Sequence, residues 1–569
     1  MTTSTSQDAS KRLGTWAGRF DLGWGCIAYS LFYFFFDFQF SVLHTDDFAY
    51  VSSFLETLAR GRIYTYEYLA PFSATMSATC AFIYTMTGNF YLSTFGLLAI
   101  SSIATFVLLR YLLARTLPSS QATWLALIFS TTPLLQVKAA DFHGSILNLA
   151  LFMAALILFD SGRLAWFFGI VFLAFANRQS HIVLLILPLW QFVRHFRAGS
   201  IEWKIVIYSL LFGVGAILLY LFMNKTYAQT HAIYIYTTWG SRIESTLEAA
   251  LAGCFVAIGA MSLFGTIFTS PFKTFSNNLR RWQLPLLFSM VLLVLTVFFW
   301  RVDLIKNDTP FFGYLDWSTF NQTLPWLLLI LLWFMDYRLL VPSPYFALSA
   351  GFIMVVSVRG IWWDYYFVEI LVLSLLLVAK QRLSANRLSI SVKGILGLIL
   401  FFNLFYGYLM RMSADKENLS VTVYERLERE GKITPARMTS APYGYLGWKL
   451  FDYYMLDEGR NFTGLADFIH YVSLTGVVME TQLPWRRHYR KNIPENAHLL
   501  ESGFWRIGFI NLPYRFVDLG KATSGSPVQT PSFLLDPSVF HERRFPLTNR
   551  EWATLIDSLQ TKPKGIHGN

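Results

Sequence analysis

Apolar runs recur from about residue 21 to about residue 411, and several reach the ~20 residues a helix needs to cross a hydrocarbon core. Inside such a core each segment must satisfy its own backbone polar groups, so the runs are read as helices. Spans are expected near 21–43, 93–114, 121–138, 144–160, 163–178, 181–195, 203–223, 247–270, 283–301, 323–336, 339–358, 361–379 and 390–411. That makes about thirteen, with short neighbours extending through their polar joints. Composition points the same way. The chain is 14% charged, against about 25% in soluble domains. Its 53 Phe, 29 Tyr and 18 Trp are abundant enough to supply aromatic belts at segment ends.

The formal net charge is +11. In a soluble protein this would suggest a nucleic-acid partner. Here the basic residues gather on alternate loops: Arg115, Arg163, Arg194, Arg197, Lys204, Lys273, Arg280, Arg281, Arg338, Lys380, Arg382 and Arg387. Loops rich in Lys and Arg face the cytoplasm, so these are inner loops and no nucleic acid is expected. Residues 1–20 form a cytoplasmic tail. The long apolar run after them is an uncleaved first span. An odd number of spans then places residues 412–569 outside. That segment is charged and turn-rich. Period-two stretches such as Trp505–Leu512 suggest strands and 463–473 a helix, giving a small α/β domain. The expected fold is therefore mainly α, a polytopic membrane helix bundle over 21–411 with a C-terminal extracytoplasmic α/β domain. Cys26, Cys80 and Cys254 lie in apolar stretches and indicate neither a disulfide framework nor a metal knuckle.

Two segments after the first span do not cross. Residues 48–62 read as a juxtamembrane helix with Phe48, Val51, Phe54, Leu55 and Leu58 on one face. Residues 71–88 are short, apolar and rich in Ser and Thr. They are read as interfacial or re-entrant, because a crossing there would turn every later basic loop outward.

Acids beside a bilayer are costly and mark function by default. His44-Thr45-Asp46-Asp47 stands where the first span exits, and Asp141 lies on the tiny second outer loop, Gln136 to Gly144. Asp46 and Asp47 also read as a solvated loop start that caps the 48–62 helix. Paired carboxylates can take a proton as general base, or hold a divalent cation such as Mg or Mn through hard oxygen ligands. Asp46, Asp47 and Asp141 are the metal candidates. Arg178, Arg359 and Lys138 reach the same face and suit a phosphate, although snorkelling to headgroups explains Lys138 and Arg359 equally well. His44, His143 and His181 match no zinc spacing and are read as hydrogen-bonding groups.

The run Asp46-Asp47-Phe48-Ala49-Tyr50, the helix ending Leu58-Ala59-Arg60-Gly61, the Pro71 segment, Thr131-Thr132-Pro133 and Asp141 together resemble the GT-C superfamily of polytopic glycosyltransferases. The likeness is to its protein O-mannosyltransferase and aminoarabinose-transferase branch. It covers residues 20–200 by motif and the remainder by architecture. The resemblance implies transfer of a sugar from a polyprenyl-phosphate donor, such as an undecaprenyl phosphate, to an acceptor outside the cytoplasm. The acceptor would be a protein hydroxyl, lipid A or a cell-surface glycan. It maps Asp46 onto the catalytic acid, Asp47 onto its neighbour and Asp141 onto the second-loop acid. Asp47 departs from the branch, which carries Glu there. Tyr50, His143 and Tyr365 join Lys138, Arg178 and Arg359 as donor-binding candidates. A monomer in a bacterial inner membrane, with its site facing the periplasm, is expected; an endoplasmic reticulum membrane is the alternative compartment. Another lipid-linked transferase of ligase or polymerase type, or a transporter, is the alternative function.

Overall fold

The computed structural model describes residues 16–35, parts of 50–63, 73–140, 144–230, 239–268, 271–298, parts of 326–337, 343–359, 367–381, most of 394–408, parts of 423–432, and 477–481, 498–507 and 510–518. Helix dominates. The helices are α1 (Trp16–Phe35), α2 (Ala74–Thr87), α3 (Leu97–Ala114), α4 (Ser119–Ser130), α5 (Pro133–Ala140), α6 (Ser145–Asp160), α7 (Leu164–Asn177), α8 (Ile186–Arg197), α9 (Trp203–Thr230), α10 (Trp239–Phe268), α11 (Pro271–Arg280), α12 (Gln283–Phe298), α13 (Pro344–Arg359), α14 (Val368–Gln381) and α15 (Leu396–Tyr408). A π-helical stretch, Leu92–Gly96, leads into α3, and a 3-10 stretch, Gln179–Leu185, precedes α8. Among the described residues, Leu92–Ala114 is the one helix both long and apolar enough to cross a bilayer.

Local chemistry explains most boundaries. Helix α6 ends in a Schellman turn, with Arg163 N–H on Leu158 O and Gly162 N–H on Phe159 O. Gly162 takes φ +70°, a conformation that favours glycine. The hairpin so formed packs α6 along α7, with α3 against α6, α13 and α14 against α10, and α1 against α3 and α4. One cluster of buried Phe, Leu, Ile and Val side chains runs through all these contacts. Where lipid surrounds helices, such packing holds by dispersion and close approach rather than by exclusion of water.

The expected single helix over 121–138 is two. Pro133 has no N–H and disfavours helical geometry in the residue before it, so the helix stops at Ser130 and restarts at Pro133. Thr132 N–H turns to Phe129 O, which releases Ile128 O. Asn403 of α15 satisfies that carbonyl at 2.9 Å, and Gln136 Nε2 donates to Asn403 O at 2.9 Å. The break thus becomes a socket for the last helix. Other bounds shift too: α9 runs on to Thr230, α10 begins at Trp239, and α11 stands in what reads as a loop. Asn278 of α11 donates to Trp333 O and Met335 O, so the residues ending the expected 323–336 helix form a turn held by a side chain.

The direction of each helix follows from its ends. Asp160, closing α6, accepts from Arg115 at 2.6 Å and from Tyr345, opening α13, at 3.1 Å. Lys380, near the end of α14, lies over the Tyr345 ring. At the opposite end Asn177, closing α7, meets Gly144 before α6. Leu92–Ala114 is 23 residues, about 34 Å at 1.5 Å per residue, so it starts at the Asn177 end and finishes at the Asp160 end. Helix α2 begins against α7, where Thr75 Oγ1 donates to Leu173 O, and stops at Gly88, just before Phe90 and the π-helical stretch. Both ends of α2 therefore lie at the Asn177 end.

Three strands, β1 (Val477–Thr481), β2 (His498–Ile507) and β3 (Ile510–Asp518), form an antiparallel sheet in the order β1-β3-β2. The expected stretch Trp505–Leu512 spans the end of β2 and the start of β3, with Ile507 opposite Ile510. Pro513 falls just past the end of β1, so its missing N–H costs no bond on that side. Tyr514 lies over Gly503, and its hydroxyl bonds Glu501, which also holds Arg426. Burial, that bond and the Glu501 charge push the Tyr514 hydroxyl pKa up. The expected helix over 463–473 lies outside the described residues.

Candidate active site

The hydroxyl of Tyr33, in the last turn of α1, donates to Ala139 O in the last turn of α5 at 3.0 Å. Helix α1 starts at the other end, where its Gly18 O accepts from Arg110 near the end of α3 at 2.8 Å. The chain thus leaves α1 toward Asp46 and Asp47, and leaves α5 toward Asp141, from one end of the bundle.

A buried amide ties the next elements to that end. Asn177 Oδ1 accepts from Met76 N–H at 3.0 Å, while its Nδ2 donates to Gly144 O at 3.2 Å and to Asn148 Oδ1 at 3.1 Å. One side chain so joins the first turns of α2 and α6 to the end of α7. A Cβ at position 144 would lie 2.7 Å from Asn177 Nδ2, so the approach demands glycine. The partly buried Arg178 follows in an extended conformation and leads into the 3-10 stretch, with His181 N–H on Arg178 O.

His181 is fully buried between Phe152 and Phe352, which meet its ring edge-on. Its Nε2 lies 3.3 Å from Oε1 of Glu369, in the first turn of α14. Among the described residues His181 Nδ1 and Glu369 Oε2 have no hydrogen-bond partner. Glu369 is as buried as its neighbour. Arg178 is near enough for its charge to act on that carboxylate. The helix N-terminus adds a field that favours negative charge there.

Of the residues read from sequence, Arg178 stands at this end with its side chain described. Tyr50 is helical, half-buried and packed against the main core. Lys138 lies in α5, one residue before Ala139, and Arg359 is the last residue of α13, at the end opposite Tyr345. Their side chains, and all of His44, Asp46, Asp47, Asp141, His143 and Tyr365, lie outside the described residues. Among the described residues no three His, Cys, Asp or Glu group as metal ligands. The carboxylates expected to hold a metal lie outside that set. In the 48–62 helix, Ser53, Phe54 and Thr57 are buried, with Phe54 against Tyr84 of α2 and Phe90. Ser53 and Thr57 are thus buried beside the expected Phe54, with Leu58 partly buried; Phe48, Val51 and Leu55 lie outside the described residues.

Glu369 and Asn148 escape a reading of loops. Glu369 carries a signal all the same: it is an acid inside the apolar run Phe367–Ala379, and an ionisable group there marks a functional candidate. Asn148 has no such signal, since a lone amide inside an apolar helix is ordinary until its partner is known. No family model, curated protein or solved structure matches the chain.

Proposed function

We propose that the chain is a polytopic membrane glycosyltransferase of GT-C type. It moves a sugar from a polyprenyl-phosphate donor to an acceptor outside the cytoplasm: a protein hydroxyl, lipid A or a cell-surface glycan. The observation that carries the reading is the Tyr33 to Ala139 bond, which supports delivery of Asp46, Asp47 and Asp141 to one end of the bundle. The same end holds Arg178 and the ends of α5 and α13, the helices that carry Lys138 and Arg359. A helix with both ends on that side, α2, supports the interfacial reading of 71–88. The basic loops mark the Asp160 end as cytoplasmic, and a bacterial inner membrane with a periplasmic site suits the arrangement.

In the mechanism, the acceptor hydroxyl or amine attacks the anomeric carbon of the donor. Asp46 takes its proton as general base. The bond from the anomeric carbon to the phosphate oxygen breaks, and the lipid phosphate leaves from the opposite face. Arg178, Lys138 and Arg359 hold the charge that develops on it, a preorganised electrostatic contribution that is often the largest catalytic effect. One displacement inverts the anomeric configuration. Asp47 is one methylene shorter than the Glu of the resembling branch and is assigned to positioning Asp46 or the acceptor.

The test is transfer by the purified full-length chain in detergent from a set of polyprenyl-phosphate sugars, with Asp46→Asn and Asp141→Asn beside it. Full activity in both variants defeats the mechanism. Transfer without a sealed compartment excludes obligatory transport. For topology, single cysteines at Thr45 and Ser526, in a chain with Cys26, Cys80 and Cys254 replaced by Ser, label from the same side; labelling from opposite sides makes 71–88 a true crossing.

A further inference from the structure

We propose that Glu369 and His181 form a buried positioning pair that fixes Arg178 for the donor phosphate; this rests on the transferase reading above. The geometry has three parts. Arg178 and His181 are the two ends of one turn, joined by the 3.1 Å bond from His181 N–H to Arg178 O. Glu369 reaches both members of that turn, His181 by contact and Arg178 by its charge. Phe152 and Phe352 close around the imidazole, so the ring has little freedom to turn away.

A purely structural role explains this arrangement poorly. Two ionisable groups taken out of water cost several kcal/mol unless each remaining lone pair and proton finds a partner. Here, among the described residues, Glu369 Oε2 and His181 Nδ1 have none. A hydrophobic pair of similar size would join the 3-10 stretch to α14 at lower cost. What the carboxylate adds is a fixed negative charge behind a cation at the site. Arg178 is then held between that charge and the incoming phosphate, and little conformational freedom remains to be lost on binding. Glu369 is a positioning residue, since it acts through Arg178 and is buried away from the substrate.

Three measurements on the full-length protein in detergent test this. In transfer assays Glu369→Gln, which keeps shape and removes charge, raises the donor KM about 10-fold and changes kcat less than about 3-fold, the split expected for lost ground-state and transition-state binding alike. Glu369→Asp recovers part of the loss. Thermal stabilisation by a polyprenyl monophosphate without sugar gives a readout independent of transfer, and Glu369→Gln weakens that stabilisation. Finally, His181→Gln and Glu369→Gln lower the unfolding midpoint by less in combination than the sum of their separate effects, as coupled partners do. An unchanged KM, unchanged lipid-phosphate stabilisation, or additive midpoints overturns the positioning role. A wild-type chain that neither transfers sugar nor is stabilised by the lipid phosphate overturns the transferase reading, and the positioning role with it. Stabilisation without transfer leaves the positioning role to the second and third measurements.

Discussion

At the Asp160 end of the bundle, side chains at the ends of α3, α6, α13 and α14 pair with one another. Arg115 bonds Asp160, Tyr345 bonds the same carboxylate oxygen, and Lys380 rests on the Tyr345 ring. The nearby Arg110 is buried yet donates to Gly18 O, Ser119 and Thr123. At the Asn177 end the pattern differs. The Asn177 amide is well used, but a step further along the chain a buried imidazole and a buried carboxylate keep unpartnered atoms among the described residues. Polar groups that satisfy each other hold helices together. Polar groups buried at a cost and left incomplete among the described residues need another reason, and on the proposed reading that reason is to hold Arg178.

That contrast can be broken at several points. The largest effect is expected beyond α1 and α5. Asp46→Asn and Asp141→Asn should each lower kcat/KM for sugar transfer by about 10³-fold, within the range of a lost general base or charged partner. A fall below about 10-fold in both removes the catalytic assignment from this end. Next is Asn177→Leu, which strands Met76 N–H and Asn148 Oδ1 and leaves Gly144 O with the Asn148 N–H alone. Buried groups left without partners cost about 1–3 kcal/mol each, so stability should drop by roughly 2–4 kcal/mol after relaxation. Transfer should fall with it, because Arg178 is the next residue. Denaturant unfolding beside the transfer assay measures both, and an unchanged midpoint breaks the claim that this amide assembles the site.

Asn403→Leu should be milder in stability, about 1–2 kcal/mol, because Ile128 O and Thr131 Oγ1 lose a donor while the socket keeps its shape. Its kcat/KM should stay within about 3-fold of wild type, as expected for a lock away from Arg178. The smallest effect belongs to Arg115→Gln or Asp160→Asn. The pair is partly exposed, so about 1 kcal/mol or less is at stake, with transfer unchanged. A large loss of transfer from either would erase the distinction between the ends.

Helices whose ends are marked by local chemistry were readable. The expected 144–160 and 163–178 match α6 and α7 closely because Gly162 and its neighbours form a turn no helix can run through. The 121–138 helix was misread because the apolar run continues across Thr131-Thr132-Pro133, and apolarity alone does not register a missing N–H. The candidate site divides similarly. Arg178 stood out as a charge between polar neighbours at a segment end. Glu369 escapes a reading of loops because it sits in the first turn of α14.

The residue pattern alone determined an α-rich chain, the periodic apolar helices and a charge asymmetry between alternate loops. These depend on composition and short-range geometry, which a sequence carries in full. The expectation that Asp46-Asp47 and Asp141 share one face rests on counting crossings alone. Tertiary structure decided which residues touch: Tyr33 with Ala139, Asn177 with Met76 and Gly144, His181 with Glu369. These partners lie 101, 106 and up to 188 positions apart or as near as 33, and nothing in local propensity selects among them. Only the packing of whole helices sets which buried polar atoms meet.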